Sequence, residues 1–229
     1  MGEKDIAFLI TTRNRRDSCQ RLVDAISAYG DVFIINDGCS YVIRGSRQLI
    51  RHEYYGKRLY WKTVNQLFSF RTPHKYYMML PDDFMPLEGM VEKAISIWES
   101  IRDKDKICLN LSPDRIGTSC WTSVIPVDKG NVFKTGWVDM CFLCEDRFFE
   151  VLGDLPQTTI SESSGVGSYI SKFFIRHPTE KYTIYHSKEM LVIPQEEHYT
   201  NSQMQHEIRR NSNSKGKRTP LPRGRQKRL

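Results

Sequence analysis

Residues 5–38 run as strand, helix, strand, and that order decides which kind of sheet the chain can build. "DIAFLITTRN" is a continuous apolar run ending in hydroxyls, the pattern of a strand buried on both faces. Residues 15–29, "RRDSCQRLVDAISAY", set Leu22, Val23, Ile26 and Tyr29 along one helical face, and Gly30 stops the helix. "DVFIINDG" is a second buried strand closed by an Asn-Asp-Gly turn. Two such strands joined by a helix lie parallel, through a right-handed crossover. The alternation continues with a helix over 57–70, a strand in "KYYMMLPDD", a helix over 89–101 and a strand at 106–112. The second half is more mixed. A strand is expected from Trp137 to Leu143, then a short helix ending at Gly153, a loop and helix in "SSGVGSYISKFFIRH", and one or two strands in "YTIYHSKEMLVIP". The fold class is therefore α/β, with a mostly parallel central sheet flanked by helices.

At 229 residues, 39% of them hydrophobic, the chain suits one sizeable domain. No apolar run reaches the roughly 18 residues of a membrane span. The opening Met1-Gly2-Glu3-Lys4-Asp5 and the short run behind it do not make a secretory signal. The expectation is a cytoplasmic protein whose six cysteines (Cys19, Cys39, Cys108, Cys120, Cys141, Cys144) stay reduced. Cys141 and Cys144 form a lone CxxC inside an apolar run and read as core thiols rather than half a zinc site. The net charge of +7 is unevenly spread. Residues 209–229 carry nine Lys or Arg and no acid, which leaves about −2 for residues 1–208. That division sets the expected organisation: a folded domain over 1–208, in halves 1–112 and 113–208, and a basic, disordered tail over 209–229. The tail reads equally as a solvated terminus or as an arm for phosphate backbones.

"YYMMLPDDFMP", 76–86, runs a buried strand straight into two adjacent aspartates. Asp37 likewise follows its strand. In open α/β sheets, ligands bind at that carboxyl edge. Paired acids there ask for a cation, the competing reading being a helix N-cap with Asp in its first turn.

The series "LITTRNRRD", "VFIINDGCS", "YYGKRLYWKTVNQL", "MMLPDDFMP" and "GWVDMCFLCEDRFFEVLG" resembles the nucleotide-sugar glycosyltransferases of the A-type fold, most closely the family 2-like group. The resemblance covers roughly residues 5–205 and lies in the order and spacing of the motifs rather than in any one of them. It implies a single Rossmann-like domain: 1–112 as its nucleotide-sugar-binding half, 113–208 as a mixed acceptor half. It implies transfer of a sugar from a nucleotide-sugar donor, a uridine nucleotide by preference, with Mn²⁺ or Mg²⁺. Thr12-Arg13-Asn14-Arg15 matches the family's Thr-x-Asn-Arg turn, so Thr11, Thr12, Arg13 and Arg15 are expected at the nucleotide. Asp37 stands where the family meets the base or ribose, against the alternative of a plain turn residue. Lys57 and Arg58 would approach the diphosphate or else be surface charges. Pro81 stands where the first Asp of the usual Asp-x-Asp would be. Asp83 is then the metal ligand and Asp82 meets the ribose or a metal-bound water. His198, in "LVIPQEEHYTNSQM", is the candidate further ligand, against the reading of an exposed histidine.

The acceptor base implied by the resemblance is Asp139, beside Trp137 as a stacking surface, or Glu162 in "ISESSGVGSYIS"; with either, transfer is inverting. The acceptor is a glycan or lipid-linked saccharide, or, given the basic tail, a hydroxylated base in DNA of the kind some viral glycosyltransferases modify; the location would then be a host cytoplasm. Two other classes stay open. A nucleotidyltransferase would carry an early Gly-rich phosphate loop, and "TTRNRRD" has no glycine. A non-enzymatic nucleic-acid-binding protein leaves the acid pair unexplained.

Overall fold

The computed structural model describes residues 5–53, 55–56, 59–112, 127–157 and 164–195. Its order begins β1 (Ile6–Thr12), α1 (Arg16–Ile26), β2 (Asp31–Asp37), β3 (Arg47–Arg51), α2 (Tyr60–Phe70), β4 (Tyr76–Pro81), β5 (Phe84–Pro86), α3 (Met90–Ser100) and β6 (Lys106–Asn110). It continues β7 (Val127–Lys129), β8 (Val132–Thr135), β9 (Phe142–Cys144), α4 (Arg147–Leu152), α5 (Ser164–Ile175), β10 (Thr183–Ser187) and β11 (Val192–Pro194). Nine strands form one sheet in the order β3-β2-β1-β4-β9-β6-β10-β8-β7, and β11 pairs with β5 separately. The first four are mutually parallel, as the βαβ reading requires. The second half is mixed: β9 runs antiparallel between β4 and β6, while β10 is parallel to β6 and antiparallel to β8.

The continuous apolar runs are explained by cores on both faces. Neighbours along a strand point to opposite sides, so Phe8, Ile10 and Ile34 pack with Leu22, Val23 and Ile26 of α1 and with Trp98 of α3. Leu9, Phe33 and Ile35 pack on the other face with Leu67 and Phe68 of α2, Phe148 of α4 and Phe174 of α5. Gly30 closes the α1–β2 turn so tightly that a Cβ there would fall 2.3 Å from the Ile6 carbonyl oxygen. Cys108 and Cys144 are buried opposite one another in register, and Cys141 is buried beside them in sequence, all as free thiols of the core. Among the described residues no helix is long and apolar enough to cross a membrane.

Two expectations need correction. The edge strand β3 has no counterpart in the sequence reading, because "RQLIR" is half-exposed and shows no apolar run. The strand expected from Trp137 to Leu143 is regular only from Phe142, so Asp139 does not sit on a strand. Side chains rather than a ladder hold the 137–139 backbone: the Ser171 hydroxyl accepts from the Val138 N–H, and Asn110 Oδ1 accepts from the Asp139 N–H. The basic tail, together with Lys57, Arg58, Glu162 and His198, lies outside the described residues.

Candidate active site

The last rung of the β1–β4 pairing sets Thr11 against Pro81, so whatever follows the two strands is brought together. After β1 the chain bends at Asn14, which has a left-handed backbone (φ 53°) that asparagine tolerates better than most residues. The bend returns Arg15 to the end of β4. Arg15 Nη1 donates to Asp82 Oδ1 at 2.7 Å and lies 2.9 Å from Asp83 Oδ2. Thr12 Oγ1 donates to the other Asp82 oxygen at 2.8 Å. Both acids are buried, with 5% and 6% of their surface exposed. Burial pushes the Asp82 carboxyl up to about 6; Arg15 and Thr12 pull against that, and the Asp83 charge adds to it. The Arg15 guanidinium thus serves both carboxylates at once.

Two tyrosines that no motif announced complete the cluster. The Tyr41 hydroxyl is 2.9 Å from Thr12 Oγ1 and accepts the Arg15 backbone N–H at 3.2 Å. The Tyr60 hydroxyl is 3.3 Å from Thr11 Oγ1. Burial pushes the Tyr60 phenol up to about 12, and the charges of Asp82, Asp83 and Asp37 add to the shift. Arg13 is exposed on the same turn.

Asp37 proves to be neither a bare turn residue nor an unengaged acid. Its carboxylate accepts from Arg51 Nη1 at 2.9 Å and from the backbone N–H groups of Tyr55 at 3.1 Å and Gly56 at 3.0 Å. Arg51 is held in turn by Thr63 Oγ1 and Gln66, and its guanidinium stacks 3.9 Å from the Tyr55 ring centre. This buried ion pair fastens the chain at Gly56, immediately ahead of Lys57 and Arg58.

At the far end of the chain, the Gln195 N–H donates to the Asp83 carbonyl at 2.7 Å. The Gln195 amide also donates to the carbonyls of Ser18 and Phe84 and accepts from Arg21. Gln195, the residue after β11, is thus tied to the backbone of Asp83.

In the second half of the chain, β9 pairs with β4 through Tyr77–Cys144, Met78–Leu143 and Met79–Phe142. The ladder stops at Phe142, and Asp139 is held instead through its backbone N–H by Asn110. Asn110 is fully buried and fixes this stretch: its amide donates to the Trp137 carbonyl at 2.9 Å and to the Tyr185 carbonyl at 3.1 Å. The α5 helix packs so closely that a Cβ on Gly167 would lie 2.9 Å from the Val138 carbonyl oxygen. Glu162 stands two residues ahead of this helix in the sequence.

Two carboxylates at a strand end form a hard-oxygen donor set of the kind that suits Mg²⁺ or Mn²⁺. Among the described residues no group of three or more His, Cys, Asp or Glu is placed to hold a metal, so a cation here would draw its remaining ligands from substrate oxygens, water or later residues.

No protein-family profile and no curated protein matches this sequence. Solved structures do match in shape. TarS of S. aureus, residues 1–349, superposes with a TM-score of 0.57 at 10% identity, over 83% of this chain and 60% of that one. GalNAc-T7, solved with UDP, GalNAc and Mn²⁺, gives a TM-score of 0.59 at 12% identity, over 83% of this chain and 44% of that one. Both are glycosyltransferases of the A type. The chain has the A-type glycosyltransferase fold. It spans about half the length of these structures, and at such identities the likeness concerns the fold alone.

Proposed function

We propose that this chain is a metal-dependent glycosyltransferase moving a sugar from a nucleotide-sugar, a uridine one, to an acceptor hydroxyl. The observation that carries the reading is the buried Asp82–Asp83 pair, bound by Thr12 and Arg15 at the carboxyl edge of an A-type fold. The UDP and Mn²⁺ in the GalNAc-T7 structure favour the same donor class. Asp83 is the direct ligand of Mn²⁺ or Mg²⁺. When bound, the cation supplies the positive charge against which a diphosphate can leave. Asp82, oriented by Thr12, accepts from a ribose hydroxyl. Thr11, Arg13 and Arg15 face the nucleotide. Lys57 and Arg58, following the residue that Asp37 anchors, meet the diphosphate. His198 comes three residues after Gln195, and three residues span at most about 10 Å. In this reading His198 serves as a further ligand. Asp139 or Glu162 accepts the proton of the acceptor hydroxyl, with inversion at the sugar carbon.

The acceptor is a glycan or a hydroxylated base in DNA, the second favoured by the nine cationic residues of 209–229 against a body of about −2. A calorimetric titration with UDP and Mn²⁺, followed by a donor screen by mass spectrometry with and without EDTA, tests the reading. UDP binding that EDTA weakens, and sugar transfer that EDTA stops, are the expected results; no UDP binding in either condition overturns it. Deleting 209–229 should leave sugar-nucleotide hydrolysis intact while weakening DNA binding and flattening its salt dependence. No change in DNA binding would remove DNA as the acceptor.

A further inference from the structure

The acid pair already holds a cation of the protein's own. A single nitrogen, Arg15 Nη1, bridges the two carboxylates, 2.7 Å from Asp82 Oδ1 and 2.9 Å from Asp83 Oδ2. That nitrogen takes the place beside Asp83 that a small cation would need. The backbone behind it is fixed, because Tyr41 holds the Arg15 N–H and Thr12 Oγ1 together. The guanidinium end is not sealed in: the Arg15 side chain keeps 21% of its surface exposed, against 7% and 8% for its two partners.

A divalent ion and a guanidinium cannot share the space between two carboxylates. Adding the ion alone would set three positive charges against two negative ones in a buried site, with two cations in contact. A diphosphate arriving with the ion changes the balance, since its oxygens offer the displaced guanidinium a bidentate anionic partner. We propose that Arg15 is an exchangeable counter-ion, closing the Asp82–Asp83 pair in the donor-free protein and passing to the donor diphosphate when a divalent cation takes its place. Metal and nucleotide binding are then coupled, each raising the affinity for the other by the same factor. The inference rests on the metal-dependent reading above, and adds that the first arginine after the β1 turn decides when the cation enters.

The test is Mn²⁺ binding to the full chain, followed by the EPR signal of free manganese, with and without UDP. Wild type should bind Mn²⁺ alone weakly, and UDP should tighten that binding about tenfold or more, the worth of one charge-assisted contact. Arg15→Gln should bind Mn²⁺ alone about tenfold more tightly than wild type, and the enhancement by UDP should shrink by about the same factor, leaving the part due to diphosphate oxygens on the ion. Arg15→Lys keeps the charge and should stay near wild type. Equal manganese affinity in wild type and Arg15→Gln, with UDP still promoting binding, would overturn the counter-ion role and leave the metal-dependent reading standing. No manganese binding by either protein, even with UDP, would overturn both. Should Arg15→Gln fail to fold, wild type decides alone: Mn²⁺ binding indifferent to UDP sinks the exchange.

Discussion

The two halves of the sheet edge bury their polar groups in different ways. On the donor side carboxylates face guanidiniums: Asp82 and Asp83 meet Arg15, and Asp37 meets Arg51. On the acceptor side neutral groups face backbone: Asn110 joins Trp137, Tyr185 and Asp139, Ser171 holds Val138, and His186 lies between the carbonyls of Ser112 and Trp137. A charged pair can trade partners with a charged ligand. A buried amide saturated by backbone gains nothing by letting go. On the proposed function, the donor side is suited to exchange and the acceptor side forms a fixed frame around Asp139.

The sharpest way to break that contrast is to alter one group on each side and read activity and stability separately. Asp83→Asn should lower metal-dependent transfer by about a hundredfold or more, since direct ligands exceed the 10–100-fold typical of their supporting groups. Its denaturation midpoint should hardly change. Asn110→Ala should do the reverse, with a stability loss several times larger than its direct effect on donor binding. Kinetics with UDP release and urea denaturation of both variants check this. A stable Asn110→Ala with lost donor affinity would erase the distinction.

Within the donor side, the Arg51–Asp37 pair differs from Arg15–Asp82 in being a fastener. Both partners are buried, and the acid also holds two backbone N–H groups. Arg51→Ala strands a buried carboxylate and should cost about 3–5 kcal/mol in urea unfolding. Lys75→Ala removes the exposed Lys75–Glu99 pair and should change stability far less, because solvent screens it. Asn110→Ala falls between them, at about 2–3 kcal/mol, because it leaves buried backbone groups short of partners but creates no charge.

What could be read from the sequence follows the same division. Strands β1, β2 and β4 were legible because burial on both faces writes uninterrupted apolar runs. The Asp82–Asp83 pair was legible because acids directly after such a run stand out. Arg51 was not, since its partner lies on another strand and "RQLIR" has the polarity of an edge. Tyr41 and Tyr60 contribute only a hydroxyl, and nothing near them in the chain distinguishes that hydroxyl from a core ring. The irregular 137–141 stretch was misread as a strand because the side chains that bend it, Asn110 and Ser171, come from distant segments. Local pattern records burial well; it does not record which distant polar group a backbone will choose.

The smallest effect expected is on the pH dependence of stability, where the two sides should have opposite signs. Asp82 has its carboxyl raised by burial to about 6, so between roughly pH 4 and 6 the folded chain binds more protons than the unfolded one at this site. Its contribution to stability therefore falls as pH rises through that window and is level above it. His186 is shifted the other way: burial lowers it from 6.5, against the two carbonyls and the Asp139 charge that raise it. Below its ordinary value the unfolded chain takes up the proton and the folded one resists, so its contribution rises with pH up to about 6.5. Subtracting the stability profile of Asp82→Asn from that of wild type should give a falling curve, and that of His186→Gln a rising one. Two curves of the same sign would mean that charge at one of these sites is being met by a partner the other lacks, and the division between an exchanging side and a fixed side would have to be redrawn around that partner.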